Sequence, residues 1–200
     1  MIKQAIEFIL ELMNLYITPA SSDDAVVPGN IALLDAYNDA SADRLTNKVV
    51  ASVINIQQEA TLRNLPRKKP GVSDSGDPVA IAQSPPIYLN LYLLFSANNT
   101  KYEDALFYIS EVISFFQIEP SFRPNAFPAL VPKYPDLQRI EMMTAELYST
   151  TFEELNQIWG VLGGKYVPSA LYKLRLIPIQ AAPESDASVV RSVRLDQFTN

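Results

Sequence analysis

The sequence predicts an α+β fold: a mixed, largely antiparallel sheet of about five strands flanked by two or three helices. Three observations predict it. The stretch IYLNLYLLFSA, Ile87 to Ala97, alternates as a strand does. Ile87, Leu89, Leu91, Leu93 and Phe95 share one apolar face, and Tyr88, Asn90, Tyr92 and Ser96 mix polar groups on the other. From about Lys101 to Gln117 the period lengthens to that of a helix, with Tyr102, Ala105, Leu106, Ile109, Val112, Ile113 and Phe116 on one stripe. Finally, the coarse order α-β-β-arm-β-α-β-α-β-tail lacks the regular βαβαβ alternation of a nucleotide-binding parallel sheet.

The first element is an amphipathic helix. Ile2, Ile6, Ile9, Leu10, Met13 and Ile17 recur at helical spacing, and Glu7 and Glu11 interrupt any long uncharged core. The segment therefore reads as a helix packed on a core, and the chain as soluble and made without a classical export signal. After polar turn material at 18–25, Val26-Val27 and Ile31 to Leu34 look like a strand broken or kinked at Pro28-Gly29. In KVVASVINIQQ (48–58), Val49, Ala51 and Val53 lie on one side and Val50, Ile54 and Ile56 on the other. That predicts a strand covered on both faces.

Residues 59–86 break the pattern. Prolines, glycines and the basic residues Arg63, Arg67, Lys68 and Lys69 collect there with little periodicity, which suggests a projecting arm without regular structure of its own. The 101–117 helix follows the Ile87 strand. Thr100 and Glu103 have capping-box spacing, and Phe107, Tyr108 and Phe115 widen the apolar stripe enough to predict that more than one surface is covered. Prolines 120, 124, 128, 132 and 135 make 119–135 an extended surface connection. Arg139 to Tyr148 resumes a strand pattern. A helix follows, with Thr151 and Glu154 (or Thr150 and Glu153) at its start. The last strand, Ala170 to Ile179, turns Tyr172, Leu174 and Leu176 one way and Lys173 and Arg175 the other. The domain thus spans 1–180, with the arm at 59–86. The tail, 181–200, is polar and ends in VVRSVRL, which either pairs with a sheet edge or stays disordered.

Composition narrows the function classes. The chain has 200 residues, 48% apolar and only 19% charged, and a poorly charged surface is expected where a protein meets other proteins. A net charge of -6 argues against general nucleic-acid binding. With no histidine and no cysteine, disulfides, thiolate chemistry, Cys/His zinc sites and histidine acid–base catalysis are excluded; no cofactor is implied.

The one stretch that invites a catalytic reading is Gly160-Val-Leu-Gly-Gly-Lys165. A phosphate-binding loop needs GxxxxGK and then Ser or Thr, ahead of a helix. Here three residues separate Gly160 from Gly164, Tyr166 replaces the hydroxyl residue, and the glycines follow a helix. Gly160, Gly163 and Gly164 are better read as a helix stop. Phe152, Trp159 and Tyr166 are expected in the core. The carboxylate neighbours Asp23-Asp24 and Glu153-Glu154 do not face one another and read as turn and first-turn residues, so neither a catalytic nor a metal site is expected. Arg63, Arg67, Lys68 and Lys69 suit an acidic protein partner, and Lys173 and Arg175 face either a partner or solvent.

Several phrases together carry a family resemblance: GNIALLD (29–35), NKVVASVINIQQEATLRNLP (47–66), PPIYLNLYLLFSAN (85–98), YEDALFYISEVISFFQ (102–117) and FEELNQIWGVLGGKYVPSALYKLRLIPI (152–179). Over residues 2–180 the chain resembles the cap, or tail-terminator, proteins of phage-tail-like contractile injection systems of the antifeeding-prophage and virulence-cassette type. The resemblance implies a non-enzymatic structural protein with a tail-terminator-like fold. It implies a homohexameric ring on the baseplate-distal end of inner tube and sheath, which ends their polymerisation, with no nucleic acid and no membrane insertion. Such a protein would be made in the cytoplasm and then join a particle that is in some systems released. Another structural adaptor of the same particle, or a small carboxylate-dependent enzyme, are the competing readings.

Overall fold

The computed structural model of the protein describes residues 1–18, 23–33, 45–59, 68–72, 78–82, 87–163 and 165–179. In chain order the elements are helix α1 (Ile2–Ile17) and strands β1 (Val26–Pro28), β2 (Lys48–Gln58), β3 (Lys68–Val72), β4 (Pro78–Ala82) and β5 (Ile87–Asn98). Helix α2 (Tyr102–Ile118), strands β6 (Ser121–Phe122) and β7 (Met143–Leu147), helix α3 (Phe152–Val161) and strand β8 (Ser169–Ile179) follow. Six strands form one sheet in the order β1-β2-β5-β8-β7-β6, and β3 with β4 forms a separate two-stranded sheet. β1 runs parallel to β2 and the other pairings are antiparallel. The mixed, largely antiparallel sheet read from the sequence is present, with six strands in place of about five. The additional strand, β6, is two residues long and leaves no pattern to read.

The alternation of β5 divides the interior in two. Leu91, Leu93, Phe95 and Ala97 enter the larger core with α1, α2 and the outer parts of β2 and β8. There Phe95 meets Phe116 and Tyr172 edge-on, at ring-centroid distances of 5.5 and 5.9 Å. Leu94, on the opposite face, joins Val50, Leu171, Ile31 and Trp159 in a smaller core under α3. β2 obeys the same rule, with Val49 and Ala51 in the first core and Val50 in the second. β2 is covered on both faces over Val49–Ser52, as the sequence suggested, but Val53 and Ile56, expected to be covered too, are exposed beyond the reach of either core.

β1 is held from the side by a polar residue of α1. Asn14 Nδ2 donates to Val26 O (2.8 Å), and Asn14 Oδ1 accepts from Val26 N (2.9 Å), both buried. The amide thus completes the outer hydrogen bonds of a strand that has only one strand neighbour. The strand breaks after Pro28, as one of the two readings had it, and does not resume over Ile31–Leu33. Ser52 Oγ donates to Gly29 O (2.8 Å) and accepts from Ile31 N (3.1 Å), turning the chain into a 3-10 helix at Ile31–Leu33. The approach is close at the bend: a Cβ on Gly29 would stand 2.8 Å from Leu45 Cδ2 and 3.0 Å from Val50 Cγ1, so a larger residue there would have to displace those side chains.

Other expectations need correction. The 59–86 region contains regular structure: β3 and β4 pair, with Lys69 opposite Ile81 and Gly71 opposite Val79. Residues 119–135 are not wholly a surface connection. β6 and 3-10 helices at Pro124–Ala126, Val131–Lys133 and Pro135–Arg139 punctuate 121–139, each 3-10 helix with proline at its start, where the missing N–H costs nothing. Phe122, Tyr134 and Leu137 are buried, and Phe8 packs edge-on against Phe127 and Tyr134. The last of these 3-10 helices uses Arg139, so the strand read from Arg139 begins only at Met143.

Thr100 does not cap α2. Lys101 is the N-cap without a side-chain bond, and Thr100 N and Oγ1 both donate to Asn47 Oδ1 (2.9 and 3.0 Å). Of the residues said to widen the α2 stripe, Phe115 is buried and Phe107 is exposed. Tyr102, Leu106 and Ile113, expected on the stripe, are exposed as well. In β8, the register shift between Leu89 and Leu91 of β5 places three β8 steps against two, so Ile177 comes into phase with Leu174 and enters the core. The tail 181–200 lies outside the described residues.

A three-membered cluster ties α1 to the 121–139 connection. Lys133 Nζ (2.6 Å) and Tyr134 Oη both donate to Glu11 Oε2, and Asp136 N donates to Gln4 Oε1 (2.8 Å). Burial pushes the Glu11 carboxyl upward, but the bonds from Lys133 and Tyr134 outweigh it and the pKa lies below its ordinary value. Burial, then the bond to Glu11, pushes Tyr134 up to about 12.

Two stability predictions follow from these contacts. Asn14→Leu leaves two buried backbone groups of Val26 unpaired and should cost about 3 kcal/mol in chemical denaturation. A loss below about 0.5 kcal/mol would mean that β1 does not depend on it. Tyr134→Phe should cost about 1 kcal/mol at neutral pH. Because the Glu11 pKa is depressed on folding, its contribution is present at neutral pH and lost as pH falls through the folded-state value. The gap between wild type and Tyr134→Phe should therefore narrow in acid, as read by thermal unfolding against pH.

Candidate functional site

α3 opens with a capping box. Glu154 N donates to Thr151 Oγ1 (3.2 Å), and Thr151 N donates to Glu154 Oε2 (2.8 Å). The backbone bond from Thr151, then one from Tyr148 Oη, holds the Glu154 carboxyl below its ordinary pKa. At the other end Leu162 N reaches Ile158 O (3.0 Å) and Gly163 takes φ 103°. That left-handed conformation lets the chain leave a helix without a Cβ penalty. Gly160 has open space around its Cα, and Gly164 lies outside the described residues. Gly160 lies inside the helix, one residue before its end, and Gly163 follows it, so neither offers a helix N-terminus to a phosphate. Of the glycines read as a helix stop, Gly163 takes that position, whereas Gly160 is still helical.

The aromatic residues of this segment separate. Trp159 is buried in the second core, with Leu155, Ile158 and Leu162 packed around it. Phe152 is 92% exposed and Tyr166 61%, contrary to the expectation that both join the core. The smaller core is one side chain thick beneath α3, and the first helical position, Phe152, overhangs its edge. Tyr166 meets Trp159 edge-on at 5.6 Å from the outside.

The basic candidates divide as well. Arg175 Nη1 donates to Glu146 Oε1 (3.0 Å) and Nη2 to Glu59 Oε2 (3.4 Å), and Glu59 also accepts from Asn90 Nδ2 (2.9 Å). Lys173 lies over the Tyr92 ring, 5.9 Å from its centroid. Both are therefore engaged within the chain, on the sheet face that carries α3. Arg63 and Arg67 lie outside the described residues; Lys68 and Lys69 stand at the start of β3, paired with Ala82 and Ile81.

Beside α3 an open cleft of about 640 Å³ runs over the sheet, lined among others by Ile54, Gln57, Tyr92, Tyr148, Gln157 and Ile158. Its single carboxylate among the described residues is Glu154, already committed to the helix cap. Lys48 Nζ pairs with Asp23 Oδ1 (2.6 Å), which accounts for one member of the other acidic pair. Among the described residues no group of three or more His, Cys, Asp or Glu could hold a metal. No helix among them is long and apolar enough to cross a membrane.

What the surface does offer is exposed apolar area. On α2, Tyr102, Leu106, Phe107, Ile113 and Ile118 are exposed; around α3, Phe152, Val161 and Leu147 are. Patches of this kind mark places where other proteins bind. The helical stripes are legible in the sequence but this exposure is not, because apolar residues on a second helix face look alike whether a core or a partner covers them.

Comparison with known proteins extends the picture. The model of the family described as the Pvc16 N-terminal domain matches residues 4–192. No curated protein sequence matches. Among solved structures, the fold is similar to the sheath/tube terminator, in its extended state, of the extracellular contractile injection system PVC. The TM-score is 0.60 at 13% identity, over 100% of this chain and 65% of that one. It is also similar to the tube-terminating cap of the anti-feeding prophage, with a TM-score of 0.54 at 14% identity, over 95% of this chain and 59% of that one. The chain thus spans roughly three fifths of the length of each of these proteins.

Substitutions separate core from surface around α3. Trp159→Ala should cost about 3 to 5 kcal/mol. Phe152→Ser should change stability by less than about 0.5 kcal/mol. Urea denaturation followed by circular dichroism reads both, and equal losses would contradict the burial described.

Proposed function

Because the chain belongs to the family described as the Pvc16 N-terminal domain, we propose that it is a structural cap of a contractile injection system and catalyses no reaction. Copies of it form a homohexameric ring on the baseplate-distal end of the inner tube and sheath, and that ring ends their polymerisation. The observation that carries this reading is the family match across most of the chain. The shared fold with two terminator proteins and the exposed apolar surfaces of α2 and α3 support it.

The mechanism is geometric. A tube or sheath grows because each layer presents the surface that the next layer binds. A cap binds that surface through one face and presents a different one on the other, so addition stops. A ring of identical subunits needs two unlike patches on each copy, arranged so that successive contacts close. A chain with only 19% charged residues and exposed apolar groups on two helices has such patches to offer. The protein is made in the cytoplasm and leaves it only as part of the particle. Arg63, Arg67, Lys68 and Lys69 contact a neighbouring subunit in that assembly.

Deletion of the gene, followed by electron microscopy of the particles, tests the reading. Loss of intact sheathed particles, or tubes of uncontrolled length, is expected. Particles of normal number and length would contradict it.

A further inference from the structure

Beyond Ala51 one edge of the six-stranded sheet is left open. β2 has eleven residues, and β1 pairs with it only at Val49, Val50 and Ala51. From Val53 to Gln58 its one strand neighbour among the described residues is β5. The backbone bonds identify the groups left over. Val49 N donates to Ala25 O (2.9 Å) and Gly29 N to Ala51 O (3.1 Å), so Val49 and Ala51 turn outward, and Val53, two residues on, does the same. The register shift between Val53 and Asn55 then changes the sense. Glu59 N donates to Tyr88 O (2.8 Å), so Gln57, two residues earlier, also faces β5, and Ile56 and Gln58 face out. Val53, Ile56 and Gln58 therefore present backbone N–H and C=O groups that no described strand takes.

The first part of the same edge is closed. Asn14 bonds both backbone groups of Val26, Pro28 has no N–H to offer, and Ser52 bonds Gly29 O and Ile31 N. Open edges are commonly blunted by charge or proline, and the stretch VINIQQ (53–58) has neither. Its side chains are sorted by face. Val53 and Ile56 stand opposite Leu93 and Leu91, on the side of the larger core, and are 39 and 50% exposed. Asn55 and Gln57 lie on the other side, where with Gln157 they line the cleft beside α3. An edge that is apolar on one face, amide-lined on the other and uncharged throughout fits an added strand of the same alternation.

We infer that Val53–Gln58 of β2 is a strand-addition site for an extended segment of another protein of the particle, uncharged and apolar at every second position. The site rests on the cap reading above and names a surface by which the cap holds what it sits on. The chain does not supply this strand from its described residues. β5 and β8 have neighbours on both sides, and the remaining strands apart from β2 are five residues or shorter. Pairing β2 with the β2 of a second copy would relate the two by a twofold axis, which a ring of subunits facing the same way lacks.

Hydrogen exchange, measured on the free full chain and on isolated particles, tests the site. In the free chain the amides of Val53, Ile56 and Gln58 should exchange fast, and those of Gln57 and Glu59, bonded to β5, slowly. In the particle the first three should slow by about tenfold or more. Ile56→Pro removes one outward N–H and leaves the β5 ladder intact, a position where an edge strand tolerates proline. It should keep the wild-type circular dichroism and lose about tenfold in occupancy of the particle end, while Ile56→Val retains it. A photo-cross-linker at Gln58 should join the chain to a segment of a different particle protein. Outward amides that exchange alike in both states, a cross-link to this chain or to a second copy of it, or a folded Ile56→Pro that occupies the particle end as well as wild type would each overturn the site. Should Ile56→Pro fail to fold, exchange and cross-linking decide. The cap reading is judged separately. Wild type present at the particle end with its outward amides unprotected sinks only the strand-addition site, whereas wild type absent from that end sinks both.

Discussion

The structure depends on a central strand whose two faces are both buried. Along β5, Leu91, Leu93 and Phe95 are committed to the larger core and Leu94 to the smaller one. A strand buried on both faces obliges the chain to supply cover on each side. α1, α2 and the proline-punctuated 121–139 segment cover one side, and α3 with the 3-10 helix at Ile31–Leu33 covers the other. Asn14 and Ser52 serve the same requirement at the sheet's β1 edge. They hydrogen-bond the backbone where strand pairing stops.

That division of labour also determines where the surface is left incomplete. α2 can turn only one stripe toward the sheet, through Ala105, Ile109, Val112 and Phe116, yet its sequence is apolar on more than that stripe. α3 covers a core one side chain deep, and Phe152 and Val161 fall outside it. For a freely diffusing monomer these exposed groups would be a liability. For a subunit whose work is to fit against its neighbours, they are the working surface. The two terminators of similar fold share only 13 and 14% of residues with this chain.

Much of this was legible in the sequence because it rests on local periodicity. The alternation of β5, the two-sided apolar pattern of β2, the amphipathic α1, the Thr151–Glu154 capping box and the glycine helix stop each announce themselves within a dozen residues. What escaped depends on partners distant in sequence. Thr100 looked like a cap, but Asn47 claims its donors. Ile31–Leu33 looked like a strand, but Ser52 and the tight approach at Gly29 bend it. Arg175 looked free for a partner, but Glu146 and Glu59 hold it. Counting in twos along the last strand misses that Ile177 joins the face of Leu174, because a bulge shifts the count. The exposed face of α2 was not legible at all, since a helix pattern cannot say which of its apolar faces the same chain will cover.

The central claim is that this protein works by shape at the end of a growing cylinder. An electron cryo-microscopy reconstruction of the particle's baseplate-distal tip tests it most directly. The account predicts density for this fold in a single closed ring of six copies, seated on the last layer of tube and sheath. A complete tip without that ring, or the same density within the baseplate, would contradict it.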